Sequence, residues 1–295
     1  MIIDIHTHTF PEKIAEKAVS TLRSQSHTAP FSDGTEAGLF ASETKAGVSL
    51  AAVQPVATYP GQVISINNRV LQRFGEAASA PEGLLSFAAM HPALPEWEEE
   101  LERISAAGVP GIKLHPPYAE VDADDPRTVR ILKKCRDLGL IVLMHCGWDV
   151  GLPGHSEAHP RKIRNALDAV GPMKLIAAHM AGWKCWKEAA ELLSGTGIYP
   201  DTSFSMGRMT PAGDDYRWAA EDLQMLREDE FCDLIRIYGA DHVLFGTDSP
   251  WGDPAAELRK IRSLPLLPRE TEAICGGNAM RLLGGCPLLR NAGCP

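Results

Sequence analysis

The sequence predicts a (β/α)8 barrel, an α/β fold, and three observations point to it. Eight short apolar runs recur along the chain. Helix-like or irregular segments separate them. Histidines and aspartates gather where the runs end. Apolarity within each run is continuous rather than alternating, the mark of strands buried on both faces. A length of 295 residues fits one such barrel with a large core. No Pro/Gly/Ser-rich linker divides the chain, so residues 1–295 read as a single domain.

The first run, Ile2–Ile5, leads into His6-Thr7-His8. Residues two apart on a strand share a face, so both imidazoles can aim at one point where the strand runs out. That arrangement suits a borderline-soft divalent metal such as zinc. The competing reading is a pair of surface histidines near a terminus. The stretch 24–44 is low in apolar residues and reads as a long loop or lid. Val48–Val56 is the second run. The third, Leu84–Met90, ends in His91-Pro92, a structural histidine rather than a ligand. Pro95–Ala107 carries Glu96, Glu98, Glu99 and Glu100 early, as helix N-termini favour. The fourth run, Val109–Leu114, contains Lys113 and runs into His115-Pro116-Pro117. His115 either lines a pocket or packs under the Pro116-Pro117 turn. Asp125–Leu138 opens with an Asp-Pro pair, a cap followed by a first-turn proline.

The fifth run, Leu140–Met144, ends in His145. His155, Glu157 and His159 follow, read as a solvated loop before a helix at Pro160–Val170, with a second metal site as the alternative. The sixth run, Lys174–Ala178, ends in His179. The seventh, Gly197–Asp201, ends in Asp201-Thr202-Ser203, with Arg208 beyond it as a carboxylate clamp or a surface arginine. Tyr216–Ile237 has helical spacing. The eighth run, His242–Gly246, leads to Asp248, which could ligate a metal or cap a helix. Trp148, Trp183 and Trp251 fall just beyond strand ends, where they wall a pocket or pack between loops. Residues 285–295 read as an irregular tail. Since a barrel gathers its strand C-termini at one face, these scattered residues would meet around one cavity.

A formal net charge of -9 argues against a nucleic-acid partner or an acidic membrane surface, but not against a small anionic substrate. Seven cysteines without CxxC spacing read as reduced thiols of a cytoplasmic protein. No basic region followed by an apolar stretch marks a signal peptide, and no apolar window is long enough to span a bilayer.

The stretches DIHTH, GIKLHPPY, LMHCG, AAHMAGW, VLFGTDSPW and ICGGNAMRLLG occur in that order. As an ordered set the chain resembles the amidohydrolase superfamily, in its branch of metal-dependent hydrolases and decarboxylases typified by aminocarboxymuconate semialdehyde decarboxylase. The resemblance covers nearly the whole chain. It implies that His6, His8, His145 and Asp248 ligate one divalent ion, zinc with manganese as the alternative. It implies that His179 is a general base or an electrostatic partner of the metal site, and that Asp248 also takes part in proton transfer. Binuclear superfamily members carry a carboxylated lysine on the fourth strand; the branch resemblance implies that Lys113 is not one. The reaction implied is hydrolysis of a C–O or C–N bond in a lactone, ester or amide. The alternative is non-oxidative decarboxylation of an unsaturated or aromatic acid, which would make the enzyme a lyase. The partner expected is a small-molecule substrate, a carboxylate among the candidates, with homo-oligomerisation left open.

Overall fold

The computed structural model describes residues 1–74 and 83–284. The expected tail at 285–295 lies outside them. Eight strand segments are parallel: β1 (Ile3–Thr7), β2 (Leu50–Val53), β3 (Leu84–Ser86), β4 (Ala88–Ala89), β5 (Gly111–Leu114), β6 (Ile141–Met144), β7 (Leu175–Ala177) and β8 (Tyr199–Pro200). They form two sheets, β1-β2-β3 and β4-β5-β6-β7-β8. The third apolar run supplies both β3 and β4: its first half pairs with β2, its second with β5. The eighth run forms no regular strand, yet it bonds on both sides. Leu244 N–H donates to the Pro200 carbonyl, Ile5 N–H to the Phe245 carbonyl and Asp248 N–H to the His6 carbonyl. Phe245 N–H instead reaches the Ile274 carbonyl, and Thr202 Oγ1 bonds both backbone groups of Gly246, which interrupts the ladder. The hydrogen bonds thus run round a (β/α)8 barrel.

Ile5, Phe87, Leu143, Ile176 and Leu244 come from strands all round the ring and pack together, which places them inside it. Alternate residues Ile112, Val142, Met144 and Ala177 pack outward against the helices. Both faces are buried, which is why the runs lack alternation.

The α-helices among the described residues are α1 (Glu12–Ser26), α2 (Glu36–Ala46), α3 (Val63–Phe74), α4 (Trp97–Ala106), α5 (Pro116–Ala119), α6 (Pro126–Leu138), α7 (Pro160–Val170), α8 (Trp186–Leu193), α9 (Ala220–Leu223), α10 (Glu228–Tyr238), α11 (Pro254–Ser263), α12 (Pro268–Glu272) and α13 (Asn278–Leu283). Asp125 caps α6 by accepting from Arg127 N–H, as its Asp-Pro start requires. Two expectations are corrected. The stretch 24–44 is not one loop: α1 ends in it and α2 fills much of it, leaving 27–35 as connection. The expected helix at Tyr216–Ile237 is two helices, α9 and α10; between them Gln224 N–H donates to the Glu221 carbonyl and its side-chain amide to the Gly207 and Met225 carbonyls. Cys135, Cys146, Cys185, Cys232 and Cys275 are unbridged. Among the described residues no helix is long and apolar enough to cross a membrane.

Candidate metal centre

The end of β1 carries a bulge between Asp4 and Thr7, where the register with β2 shifts. Bulges re-aim side chains. His6 Nδ1 lies 2.9 Å from Asp201 Oδ2, with both residues fully buried. A carboxylate accepts, so Nδ1 carries the hydrogen and Nε2 is left with a lone pair. His8 Nδ1 lies 2.7 Å from the Gln54 carbonyl, which also only accepts. Its Nε2 then faces His6 Nε2 at 3.2 Å. Asp248 Oδ1 is 3.2 Å from His8 Nε2 and 3.6 Å from His6 Nε2. These three ligand atoms lie within 4.8 Å of one another. Lys113 Nζ, buried at the end of β5, sits 3.0 Å from His6 Nε2.

A second pair of imidazoles stands beside the first. His145 Nε2 lies 3.1 Å from the Trp148 carbonyl and so donates to it. His179 Nδ1 lies 3.1 Å from the Ser203 carbonyl and donates likewise. Their remaining nitrogens, His145 Nδ1 and His179 Nε2, face each other at 3.2 Å. Two acceptor nitrogens at that distance need a cation between them, a proton or a metal. All four histidines therefore turn one nitrogen inward while an oxygen holds the other, which is how metal-ligating histidines are held.

Burial holds His6, His115 and His145 well below the usual imidazole range; the Lys113 charge adds to it at His6 and His115, and His115 at His145. Neutral imidazole is the form that ligates. Burial also lowers Lys113 to about 8, against the pull of Asp248 and Asp201. Asp248 is pushed up by burial, but the hydrogen bond with His8 and the electrostatic attraction of the imidazoles around it outweigh that and bring it to about 2. The carboxyl is thus ionised across the neutral range. His179 and Asp248 have φ of 61° and 60°, the left-handed region rare for side-chain-bearing residues. Such strain persists where surrounding structure imposes it, often at functional sites.

All these groups line one cavity of about 500 Å³, which His6, His8, Lys113, His115, His145, His179 and Asp248 reach from the strand ends. His145 shares that cavity, but its ligand atom does not fall in the tight His6–His8–Asp248 group. It groups with His115 and Asp149 instead, its ring stacked on His115 with centroids 4.2 Å apart. The helix cap expected as an alternative for Asp248 is supplied by Asp253, which accepts from Ala255 N–H. Trp148, Trp183 and Trp251 all line the cavity. His91 accepts from Ala93 N–H and lies outside it. His155 pairs with Glu157, while His159 pairs with Glu188, so the three do not converge. Arg208 is exposed, 3.5 Å from the Ala220 carbonyl, and does not line the cavity.

Sequence reasoning missed Asp201, Ser203 and Asp149. Asp201 holds His6 with one oxygen; with the other it accepts from the His179 and Ser203 backbone N–H groups and the Ser203 hydroxyl. Its place at a strand end was the available signal. Asp149 Oδ2 lies 3.3 Å from His115 Nε2. Nothing in sequence spacing announces a pair that meets across two different strands' loops.

Among solved structures, a TIM-barrel protein from Bordetella bronchiseptica, itself uncharacterised, superposes with a TM-score of 0.72 at 18% identity, over 97% of this chain and 99% of that one. A dihydroxybenzoic acid decarboxylase from Polaromonas sp. JS666, with bound manganese and the inhibitor 2-nitroresorcinol, gives 0.67 at 15% identity over 96% of each chain. A candidate 2-pyrone-4,6-dicarboxylic acid hydrolase from Pseudomonas putida gives 0.62 at 18% identity, over 96% of this chain and 97% of that one. At these identities the likeness establishes the fold. No curated protein matches the chain. The family model described as Amidohydrolase matches residues 3–285, nearly the entire sequence, and the chain therefore belongs to the amidohydrolase family.

Proposed function

We propose that the cavity floor holds one divalent metal ion on His6, His8, Asp248 and His145, and that the enzyme hydrolyses a C–O or C–N bond of a small, carboxylate-bearing molecule. The observation that carries this reading is the approach of His6 Nε2 and His8 Nε2 to 3.2 Å, with Asp248 Oδ1 beside both. The donor set fits such an ion: neutral imidazoles and an ionised carboxylate, with outer nitrogens already held by Asp201, Gln54 and Trp148. Three histidines and a carboxylate suit zinc, with manganese the second choice. When bound, the metal supplies Lewis acidity to a substrate oxygen and lowers the pKa of water at the site.

The chain's own residues do the rest. Asp248, ionised at neutral pH, accepts a proton at its carboxylate. His179 is fixed through Nδ1 by Ser203 and presents Nε2 to the cavity floor, where it takes or returns a proton. Phe10, Trp148, Trp183, Phe204 and Trp251 wall the cavity and limit bulk water. We take the chain as one cytoplasmic catalytic domain.

A second reading is decarboxylation, favoured by those same apolar walls, since a low-dielectric surrounding favours converting a carboxylate to neutral carbon dioxide. The fold likeness to the manganese-containing decarboxylase from Polaromonas supports it equally. The test is product analysis on zinc- and manganese-loaded protein offered lactones, esters, amides and hydroxybenzoates. Net addition of water establishes hydrolysis. Release of carbon dioxide with no hydrolysis overturns it in favour of the second reading.

A further inference from the structure

The cavity has more wall than its polar floor needs. Two helices face it with contrasting chemistry. From α1 come Ile14, Ala18 and Leu22, four residues apart and so on one face of the helix. That face is distinct from the one that packs α1 down, where Ala15 and Val19 are buried. Ile14 is half exposed, an apolar side chain left at the mouth. From α3 and the turn before it come Gln62, Ser65, Ile66 and Arg69, spaced as another single helical stripe.

The polar groups of that second stripe are unequally engaged. Gln62 Oε1 accepts from Thr58 N–H and the Thr58 hydroxyl, which leaves its amide hydrogens pointing elsewhere. The Ser65 hydroxyl donates to the Gln62 carbonyl. Arg69 is exposed at the cavity wall and, among the described residues, makes no hydrogen bond or ion pair. Some exposed arginines are engaged, Arg127 with Asp125 and Arg227 with Asp229, while others such as Arg161 and Arg217 stand unpaired at the surface among the described residues; Arg69 differs from those in lining the cavity. In a chain of net charge -9, Arg69 puts a positive charge at the cavity wall, with its donors bound to no carboxylate among the described residues. The cavity's two carboxylates lie elsewhere: Asp248 is on the floor beside His6 and His8, and Asp149 follows β6, three barrel strands on from β2, which precedes α3.

We infer that Arg69, assisted by the Gln62 amide, forms a second, distal anion subsite, and that the substrate is a molecule with two acidic groups joined by an apolar body. One acidic end engages the floor, the body lies against Ile14, Ala18 and Leu22, and the distal carboxylate is held by the Arg69 guanidinium at the mouth. A guanidinium matches a carboxylate through paired N–H donors. The floor engagement rests on the metal reading above; the Arg69 subsite does not.

The test uses zinc-loaded protein and a length series of straight-chain dicarboxylates, butanedioate to decanedioate, each against the monocarboxylate of equal length. Dissociation constants are measured by calorimetry. At the best-fitting length the second carboxylate should tighten binding about tenfold or more. Arg69→Met should erase that gain and leave the monocarboxylate constants unchanged. Dicarboxylates that bind no tighter than monocarboxylates at any length, or a gain that survives Arg69→Met, overturn the inference. Stripping the zinc reads the other claim: monocarboxylate binding should weaken. If it does not, while the Arg69-dependent gain persists, the metal reading fails and the subsite stands.

Discussion

Asp201 holds two of the inward-facing histidines at once: Oδ2 accepts from His6 Nδ1 at 2.9 Å, and Oδ1 accepts from the His179 backbone N–H at 3.0 Å. Both contacts are fully buried. One carboxylate thereby fixes the tautomer of His6 and the position of His179. Asp201→Asn keeps the shape and removes the charge behind His6. It should weaken metal binding about 10- to 100-fold, read by competition with a chelator of known affinity. Unchanged affinity would reduce Asp201 to a packing residue.

His179 and His8 separate by role. His8→Ala removes a donor from the His6–His8–Asp248 group and should empty the metal site. His179→Ala should retain the metal and lose turnover by about 10²–10⁴-fold, the usual weight of an acid–base group. Metal content and rate, measured on both variants, decide it. A metal-free His179→Ala protein would move His179 among the ligands.

Metal stoichiometry tests Lys113. With one ion per chain, Lys113 remains an unmodified amine beside His6 Nε2. Elemental analysis should give one equivalent, and intact mass should show no added carbon dioxide. Two equivalents would assign the second ion to the facing pair His145 Nδ1 and His179 Nε2.

A pH effect on stability follows from Asp4 and Glu43, two neighbouring buried carboxyls. Burial raises both above the ordinary carboxylate range, and the charge of Asp4 adds to the rise at Glu43. A carboxyl whose folded pKa is raised binds its proton more tightly when folded. As pH climbs above the unfolded value, the unfolded chain releases protons first and stability falls. Glu43→Gln removes one titrating group. The variant's Tm relative to the parent should therefore be higher at about pH 8 than at about pH 5. A constant difference would show that Glu43 titrates normally.

Much of this arrangement was legible. Continuous apolar runs marked the strands because both faces of a barrel strand are buried, as Leu143 and Val142 show from opposite faces of β6. The His-x-His pair and Asp248 could be placed because strand ends converge. Helix α2 was not legible: its buried positions are Leu39 and Glu43, so half of its inward stripe is an acid. The split third strand and the broken eighth depend on backbone partners, Ile274 among them, that no local pattern encodes. The partners of the histidines were hidden for a related reason. Three of the four oxygens that fix them, those of Gln54, Trp148 and Ser203, are main-chain carbonyls, which any residue type could supply.

The most direct test of the metal centre is anomalous diffraction from crystals of zinc-loaded protein. One peak per chain is expected, about 2.0–2.2 Å from His6 Nε2, His8 Nε2, His145 Nδ1 and an Asp248 oxygen. A peak held elsewhere, or a zinc-loaded crystal in which His6 and His8 turn their Nε2 atoms away from it, would rule out this ligand set.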